Sequence, residues 1–541
     1  MTLLPSAGGI TNRTNRRLAN FSLPKPRITI RWITDQWRAK PDRLIVVALV
    51  ALVVVVQGVN IANFPTVSDD EGTYLAQAWA IQHGKGLAHY SYWYDHPPLG
   101  WIQIAALSWI PALFDHGAMV VVHARVIMLP VTAICSALVY VLCRRIGTAR
   151  WAAALAVVVY GLSPLSVTMQ REIYLDNFAV VWMLAAFVLA LSPRRHLWHH
   201  VAAGFCAAAS VLSKETMVVV APALVWAVWQ GSDKTTRKFS LTGFGSAAAL
   251  VIAQYPLYAL LKGELFAGPG HNSLFGAISY QLGRKGGGNI FHQGSVSNLT
   301  LHWWLVRDPV LMYAGTAAVF AALAVRRLRP VALAGVILVV VGCRPTGYLP
   351  AMYVIQAIPF FALSIAGLVD EAVRVLMLER TRLWLRRFWR WDVPWRRLDV
   401  AALSGVVAVG LIAPLWQTGD ATADTAFTND QYAQASAWIA GHVPDHAHTR
   451  IVVDDAIWPD LAGQGFQPGL GAIWFYKVDL DPAVTRTLPH GWKDIDYVVS
   501  TTVIRQDPNG LPTVRAAMGH SATVATFGDG DQRIDILKVA K

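Results

Sequence analysis

LIVVALVALVVVVQGVNIAN, Leu44 to Asn63, is twenty residues without a charge, and four positions later comes Val67-Ser-Asp-Asp-Glu-Gly-Thr-Tyr74. A helix of about 20 residues rises about 30 Å, the thickness of a bilayer's hydrocarbon core. The first stretch therefore predicts a membrane span, and three consecutive acids stand just beyond its end. The 43 residues before it are polar and carry nine Lys/Arg. They lack the short apolar core and cleavage site of a signal peptide, so the span is expected to persist as the first helix behind a disordered cytoplasmic tail, residues 1–43.

Working outward, further apolar segments fall at about 119–143, 151–168, 178–192, 201–213, 216–230, 241–261, 309–325, 331–343, 352–369 and 400–416. With the first, these predict an α-helical polytopic membrane protein of about 11 transmembrane helices. The composition agrees: 55% hydrophobic, 15% charged and 22 Trp. The short pair 201–213 and 216–230 meets at Ser213-Lys214-Glu215, and charged half-spans of this kind require shelter in protein or in a water-filled cavity.

With the N-terminus cytoplasmic, every second connection is basic: Arg144-Arg145-Arg150, Arg194-Arg195, Lys234-Arg237-Lys238, Arg326-Arg327-Arg329 and the stretch 370–399. This assignment puts 28 Lys/Arg against 8 Asp/Glu inside, and 18 against 25 outside. The net charge of +13 thus reports orientation and gives no reason to expect a nucleic-acid partner. Within the basic stretch, Glu379 to Arg397 reads as an interfacial amphipathic segment on anionic lipid. The four cysteines lie in or beside apolar runs without metal or disulfide spacing.

The expected organisation is a basic tail, 1–43; a transmembrane body, 44–416, with a catalytic loop at 64–118, an external loop at 262–308 and the cytoplasmic basic segment 370–399; and an extracytoplasmic α/β domain, 417–541. The last is polar, with strand-like runs at 450–454, 495–500, 523–527 and 534–539 and a helical run at 430–442. It has no G-x-G-x-x-G, P-loop or nucleophile elbow, which favours acceptor binding or a structural role over a second active site.

The chemistry concentrates outside the first helix. Ser68-Asp69-Asp70-Glu71 reads as a helix cap, since acids favour a helix N-terminus, or as a general base whose pKa is tuned by apolar surroundings and a neighbouring acid. Gln170-Arg-Glu-Ile-Tyr-Leu-Asp-Asn177, between the third and fourth spans, supplies Glu172 and Asp176, expected to share a helical face at i, i+4. Arg171 and Glu172 also suit a surface salt bridge. Cations for a phosphate are expected among Arg125, Arg171, Lys214, Arg284, Lys285 and Arg344, with Lys214 and Arg344 favoured as ionisable groups at membrane depth. The glycine-rich Gly283-Arg-Lys-Gly-Gly-Gly-Asn289 is either a lid or a plain mobile loop. The histidines have no metal-ligand spacing, and no metal ligand is assigned; a divalent cation held by His96, Asp95 and Asp70 is the one arrangement to look for.

Taken in order, Asp70-Glu71-x-x-Tyr74, Asp95-His96-Pro97-Pro98-Leu99-Gly100, Arg125 and Arg171-x-x-Tyr174-Leu175-Asp176-Asn177 resemble the protein O-mannosyltransferase and aminoarabinose (lipid A) transferase families of the GT-C superfamily. The resemblance covers about residues 40–370. It implies an inverting glycosyltransferase that moves a sugar from a polyprenyl- or dolichyl-phosphate donor to a hydroxyl of a protein, envelope glycan or lipid on the extracytoplasmic face of the plasma membrane. It implies Asp70 as base, with Glu71, Glu172 and Asp176 as further catalytic acids. Arg125, Arg171, Lys214, Arg344, His96 and Tyr74 are then expected around the donor phosphate. Asp69 is an extra acid that leaves the register of the base open by one residue, and Trp101 stands where many protein mannosyltransferases carry Lys. A lipid or sugar transporter, or a non-catalytic envelope scaffold, are the competing readings; a transporter predicts related halves and midplane sites, whereas here the acids gather at one surface.

Overall fold

The computed structural model describes residues 40–90, 92–114, 119–268, 271–283, 286–345, 348–376, 413–414, 416–506 and 510–541. Nearly all of the basic tail, the amphipathic segment 379–397, most of the last predicted span and the Arg284-Lys285 pair lie outside the described residues.

Ten of the eleven predicted segments are helical. Among the described residues, four helices are long and apolar enough to cross a membrane unaided: Pro41–Gly58, Val120–Arg145, Arg237–Leu261 and Ala351–Val375. Two bent pairs raise the number to six, Arg150–Leu162 with Pro164–Arg171 at 59° and Val296–Arg307 with Pro309–Ala322 at 106°. The count is below eleven because four of the predicted segments form apolar helices of fewer than 18 residues, Leu175–Ala190, Leu197–Ser213, Glu215–Gly231 and Arg329–Gly342, and the segment 400–416 lies mostly outside the described residues; two further segments contain or adjoin a break. Ser163-Pro164 and Asp308-Pro309 each start a new helix, with the Ser or Asp side chain accepting a backbone N–H in the next turn. Val296–Arg307, within the expected external loop 262–308, is helical and meets Pro309–Ala322 at 106°.

Ala351–Val375 is the central helix, 83% of its apolar stretch being covered by protein, against 11% for Arg237–Leu261 at the periphery. The elements that position the site are helix α1 (Lys40–Gly58), helix α2 (Asp69–Gln82) in the loop that follows it, and a C-terminal α/β layer.

In that layer five strands, β1 (Ile451–Val453), β2 (Ala472–Trp474), β3 (Tyr497–Ser500), β4 (Ser521–Phe527) and β5 (Ile534–Val539), form one mixed sheet in the order β2-β1-β3-β5-β4. Strand β1 pairs parallel with β2 and β3, while β5 pairs antiparallel with β3 and β4. Strand β2 has no counterpart among the predicted runs, since Ala-Ile-Trp is buried at all three positions and shows no alternation.

Residues 46–541 form one compact unit, and the contacts that weld the sheet layer to the first loop are specific. Asn429 accepts from the Val67 N–H and donates to the carbonyls of Ala62 and Pro65. The Tyr90 hydroxyl accepts from the Trp474 N–H and donates to the Ala472 carbonyl. Gly72 on α2 lies so close to the Asp455–Ala456 backbone that a Cβ there would stand 2.0 Å from the Asp455 oxygen.

Candidate active site

Helix α2 begins at Asp69, so the three acids form its first turn. Successive helical residues point about 100° apart, and each acid accordingly meets a different neighbourhood. Asp69 faces the C-terminal layer, where its Oδ1 accepts the Asp455 N–H at 2.9 Å. Glu71 is fully buried against Arg125. Its Oε1 accepts from Arg125 Nε at 2.9 Å and from the Ile173 N–H at 3.0 Å, and its Oε2 accepts from Arg125 Nη2 at 2.7 Å and from the Ser68 N–H at 3.1 Å. Asp70, between them, is partly exposed, and among the described residues its carboxylate has no hydrogen-bond partner.

The direction of Asp70 follows from Tyr74, one turn further along the same face of α2. Tyr74 is 2% exposed, with its ring 6.2 Å from that of His96. Burial pushes its phenol well above the usual value, and the negative charges of Asp70, Asp176, Asp95 and Glu215 push it further. Four carboxylates therefore surround one phenol.

A chain of polar contacts runs through this space. Glu215 Oε2 lies 3.0 Å from His96 Nδ1, His96 Nε2 lies 2.9 Å from Lys214 Nζ, and Lys214 Nζ lies 3.9 Å from Asp176 Oδ2. Asp176 Oδ1 accepts from Gln356 Nε2 at 2.6 Å, and the same nitrogen contacts Thr216 Oγ1 at 2.5 Å. An ammonium has donors and no acceptor, so a protonated Lys214 requires Nε2 to accept and puts the imidazole proton on Nδ1, facing Glu215. Burial disfavours imidazolium and Glu215 favours it, the carboxylate prevailing and raising the imidazole's pKa. Lys214 and His96 thus compete for the proton on the line between them. Just before His96, Tyr94 adopts a left-handed backbone at φ 55°, rare for an aromatic residue. Asp95, like Asp70, has no hydrogen-bond partner among the described residues.

The ten residues singled out from the sequence divide into two groups. Asp70, Tyr74, His96, Asp176 and Lys214 share this polar space. Arg125 and Arg171 make internal contacts apart from it. Arg125 is fully buried and donates to both carboxylate oxygens of Glu71 and to the carbonyls of Ile61 and Pro65. Arg171 is also fully buried and donates to the carbonyls of Val56 and Ala423, in place of the expected surface pair with Glu172. Glu71 is likewise the partner of an internal arginine.

Glu172 and Asp176 do not share a helical face. Glu172 ends the helix Pro164–Arg171, the backbone is extended through Tyr174, and Asp176 opens the next helix. Glu172 accepts from the Tyr174 hydroxyl at 2.9 Å, and burial together with the Glu71 charge pushes its carboxyl well up. Arg344 is exposed, its Nη2 donating to the Tyr348 carbonyl at 3.0 Å. Among the described residues no group of three His, Cys, Asp or Glu is arranged to hold a metal ion, and both nitrogens of His96 are engaged by Glu215 and Lys214.

Glu215, Gln356 and Asp95 were not singled out as catalytic or phosphate-binding residues. Two carried a signal: Glu215 shares the charged turn with Lys214, and Gln356 is a lone amide inside an apolar helix, a costly placement that marks function.

A helical body with several apolar helices of membrane-spanning length, an acidic helix in the loop after the first of them and a C-terminal α/β layer folded back on that loop make up a fold that this chain shares with solved membrane-enzyme structures. Residues 95–258 match the family model for dolichyl-phosphate-mannose-protein mannosyltransferase, less than a third of the chain. ArnT from Cupriavidus metallidurans bound to undecaprenyl phosphate has the same fold at a TM-score of 0.54 and 14% identity, over 92% of this chain and 98% of that one. The Archaeoglobus fulgidus oligosaccharyltransferase AglB, in complex with an inhibitory peptide and a dolichol-phosphate, follows at 0.53 and 12% identity, over 93% and 75%. No curated protein matches the sequence.

Proposed function

We propose that this chain moves a sugar from a polyprenyl-phosphate donor to a hydroxyl acceptor on the extracytoplasmic face of the membrane, with inversion at the anomeric carbon. The observation that carries the reading is the unpartnered Asp70 carboxylate on the face of α2 that looks onto the Glu215–His96–Lys214–Asp176 chain. A carboxylate without a partner is the base a hydroxyl nucleophile needs, and a buried ammonium on the same chamber is the group a departing phosphate needs.

Asp70 takes the acceptor's proton as its oxygen attacks the anomeric carbon. The bond from that carbon to the phosphate oxygen breaks, and the electron pair leaves on the phosphate, stabilised by Lys214. Tyr74 and His96 hold the chamber's geometry, Asp176 fixes the side of Lys214 away from His96, and Arg344 is the exposed cation offered to the lipid phosphate on entry. The same reading makes all eleven apolar segments membrane crossings and leaves the C-terminal layer extracytoplasmic, on the side of the first loop to which it is bonded. The mannosyltransferase family match makes mannose the first donor sugar to test.

The test is Asp70→Asn in the purified full chain, supplied with labelled polyprenyl-phosphate sugars. Transfer should fall by a factor of 10² or more, about the contribution of a general base. Near-normal transfer by the variant would show the base to be another group.

A further inference from the structure

A cavity of about 390 Å³ opens where the end of α2 and the chain after it meet the C-terminal layer, lined by Trp79, Lys85, His89, Tyr90, Gln467 and Asp481 among others. Its wall is aromatic in depth. The His89 ring lies 4.1 Å from those of Tyr90 and Trp458 and 4.6 Å from that of Trp474, and Trp79 meets Trp458 edge-on at 5.5 Å. This wall holds an unusual concentration of unmet hydrogen-bonding capacity. Both ring nitrogens of His89 and Nε1 of Trp474 are buried without a partner, and each such group has to be accounted for.

The charge of the wall selects its ligand: Lys85 and Asp481, the charged residues in its lining, are of opposite sign and leave no net charge there. Burial, and then the nearby Lys477 ammonium, hold the His89 imidazole well below its usual pKa and hence neutral. Lys477 is itself matched, 3.5 Å from Asp481 and 3.6 Å above the Trp93 ring. A neutral imidazole presents one donor and one acceptor. That is the complement of a hydroxyl, which both donates and accepts, and not of a phosphate or carboxylate. Aromatic faces carry partial negative charge and suit the C–H faces of a sugar ring. Trp79 is nine residues beyond Asp70 on one helix, about 14 Å along its axis, so a ligand reaching both is longer than a single ring.

We propose that this seam between α2 and the C-terminal layer binds the sugar rings of a neutral oligosaccharide acceptor, with His89 hydrogen-bonding a ring hydroxyl and Trp79 and Tyr90 stacking. The proposal rests on the transferase reading above and specifies the acceptor class that reading leaves open.

The full-length protein in detergent, with no donor present, is titrated with short α-mannan and arabinan fragments while tryptophan fluorescence is followed. Parallel arms use a Ser/Thr-containing peptide and polyprenyl phosphate. The expected result is a saturable change with one of the oligosaccharides and none with the peptide, the glycan response weakened about tenfold by His89→Phe and by Gln467→Ala, as for loss of one hydrogen bond, and any response to polyprenyl phosphate unchanged in both variants. Gln467 is exposed, so its variant reports on binding even if His89→Phe disturbs the stack. Saturable binding of the peptide in place of the glycans, no glycan binding at all, or wild-type affinity in both variants would each overturn the proposal. Because no donor takes part, such a failure leaves the catalytic assignment of Asp70 standing, and a failure of the Asp70→Asn test leaves this site standing.

Discussion

Gly72→Ala is the sharpest probe of how the C-terminal layer positions Asp70, the proposed base. A Cβ at this position would stand 2.0 Å from the Asp455 oxygen, 2.1 Å from its carbonyl carbon and 2.5 Å from the Ala456 nitrogen. All three are backbone atoms, so no rotamer relieves the overlap. Recovering an ordinary 3.4 Å contact from 2.0 Å needs a separation of about 1.4 Å between α2 and the chain after β1. Overpacking of this kind costs roughly 1–3 kcal/mol, and a backbone-on-backbone clash belongs at the upper end. Asp69 and Thr73, which flank Asp70 on α2, are both bonded to Asp455, so the displacement carries the base with it. A misplacement of about 1 Å can cost about 10²-fold in rate. The assay is release of polyprenyl phosphate from labelled donors with acceptor saturating, beside a thermal melt of the same preparation. Gly441→Ala is the control: it lies on the helix Asp430–His442 with nothing within 4 Å of its Cβ, and alanine favours a helix over glycine by up to about 1 kcal/mol. Wild-type rate and melting temperature in Gly72→Ala would refute the claim that this contact sets the position of Asp70.

Arg125→Met leaves Glu71 buried and unpaired, and should destabilise the chain by roughly 3–5 kcal/mol, with part of the loss recovered when Glu71→Leu is added; unchanged unfolding of the single variant would exclude the structural role assigned to the pair. Lys214→Met should slow release of polyprenyl phosphate by about 10²–10³-fold, the scale of one lost charge-stabilising donor, and a smaller effect than Arg344→Met would move the leaving-group role to Arg344. The pH dependence of stability should respond to Asp69, whose carboxyl is raised from 3.8 to about 8, first by burial and then by the charge of Asp454. The groups around it are Asp70 on α2, Asp454 and Asp455 after β1, and the phenols of Tyr432 and Tyr476. The folded state holds this proton where the unfolded chain has released it, so stability falls as pH rises from about 4 to about 8. Asp69→Asn carries no such proton and should flatten that part of the melting curve against pH; a slope parallel to wild type would exclude Asp69 as its source.

How much of this could be read from the sequence depended on the range of the physics. Lipid imposes its requirement locally, through apolar runs of a set length and basic residues on one side, and the predicted segments and helices coincide almost one for one. The acidic turn was visible for the same reason, because three charges at a membrane boundary stand out against apolar surroundings. Helix phase was not visible. Asp69, Asp70 and Glu71 are chemically near-equivalent in a one-dimensional reading, and only the position of three separate neighbours sends one to Asp455, one to the open chamber and one to Arg125. The partners of Glu71 and Asp69 are 54 and 386 residues away, too far for any periodicity to register.

The same contrast explains why the cations were assigned too generously. An arginine at membrane depth marks a costly placement, but the cost is met equally by a substrate phosphate or by carbonyls at broken helix ends. Arg125 and Arg171 take the second course. Arg125 ties the chain after α1 to α2, and Arg171 ties the end of α1 to the segment leading into the C-terminal layer. Lys214 does not complete its bonding in this way: one contact is to an imidazole that competes for its proton, and the other is a 3.9 Å approach to Asp176. A cation held loosely between groups of adjustable charge can accept a phosphate without first breaking the fold, whereas a guanidinium whose terminal nitrogens hold backbone carbonyls together cannot. That distinction, more than depth in the membrane, is what favours Lys214 over Arg125 and Arg171 as the proposed phosphate cation.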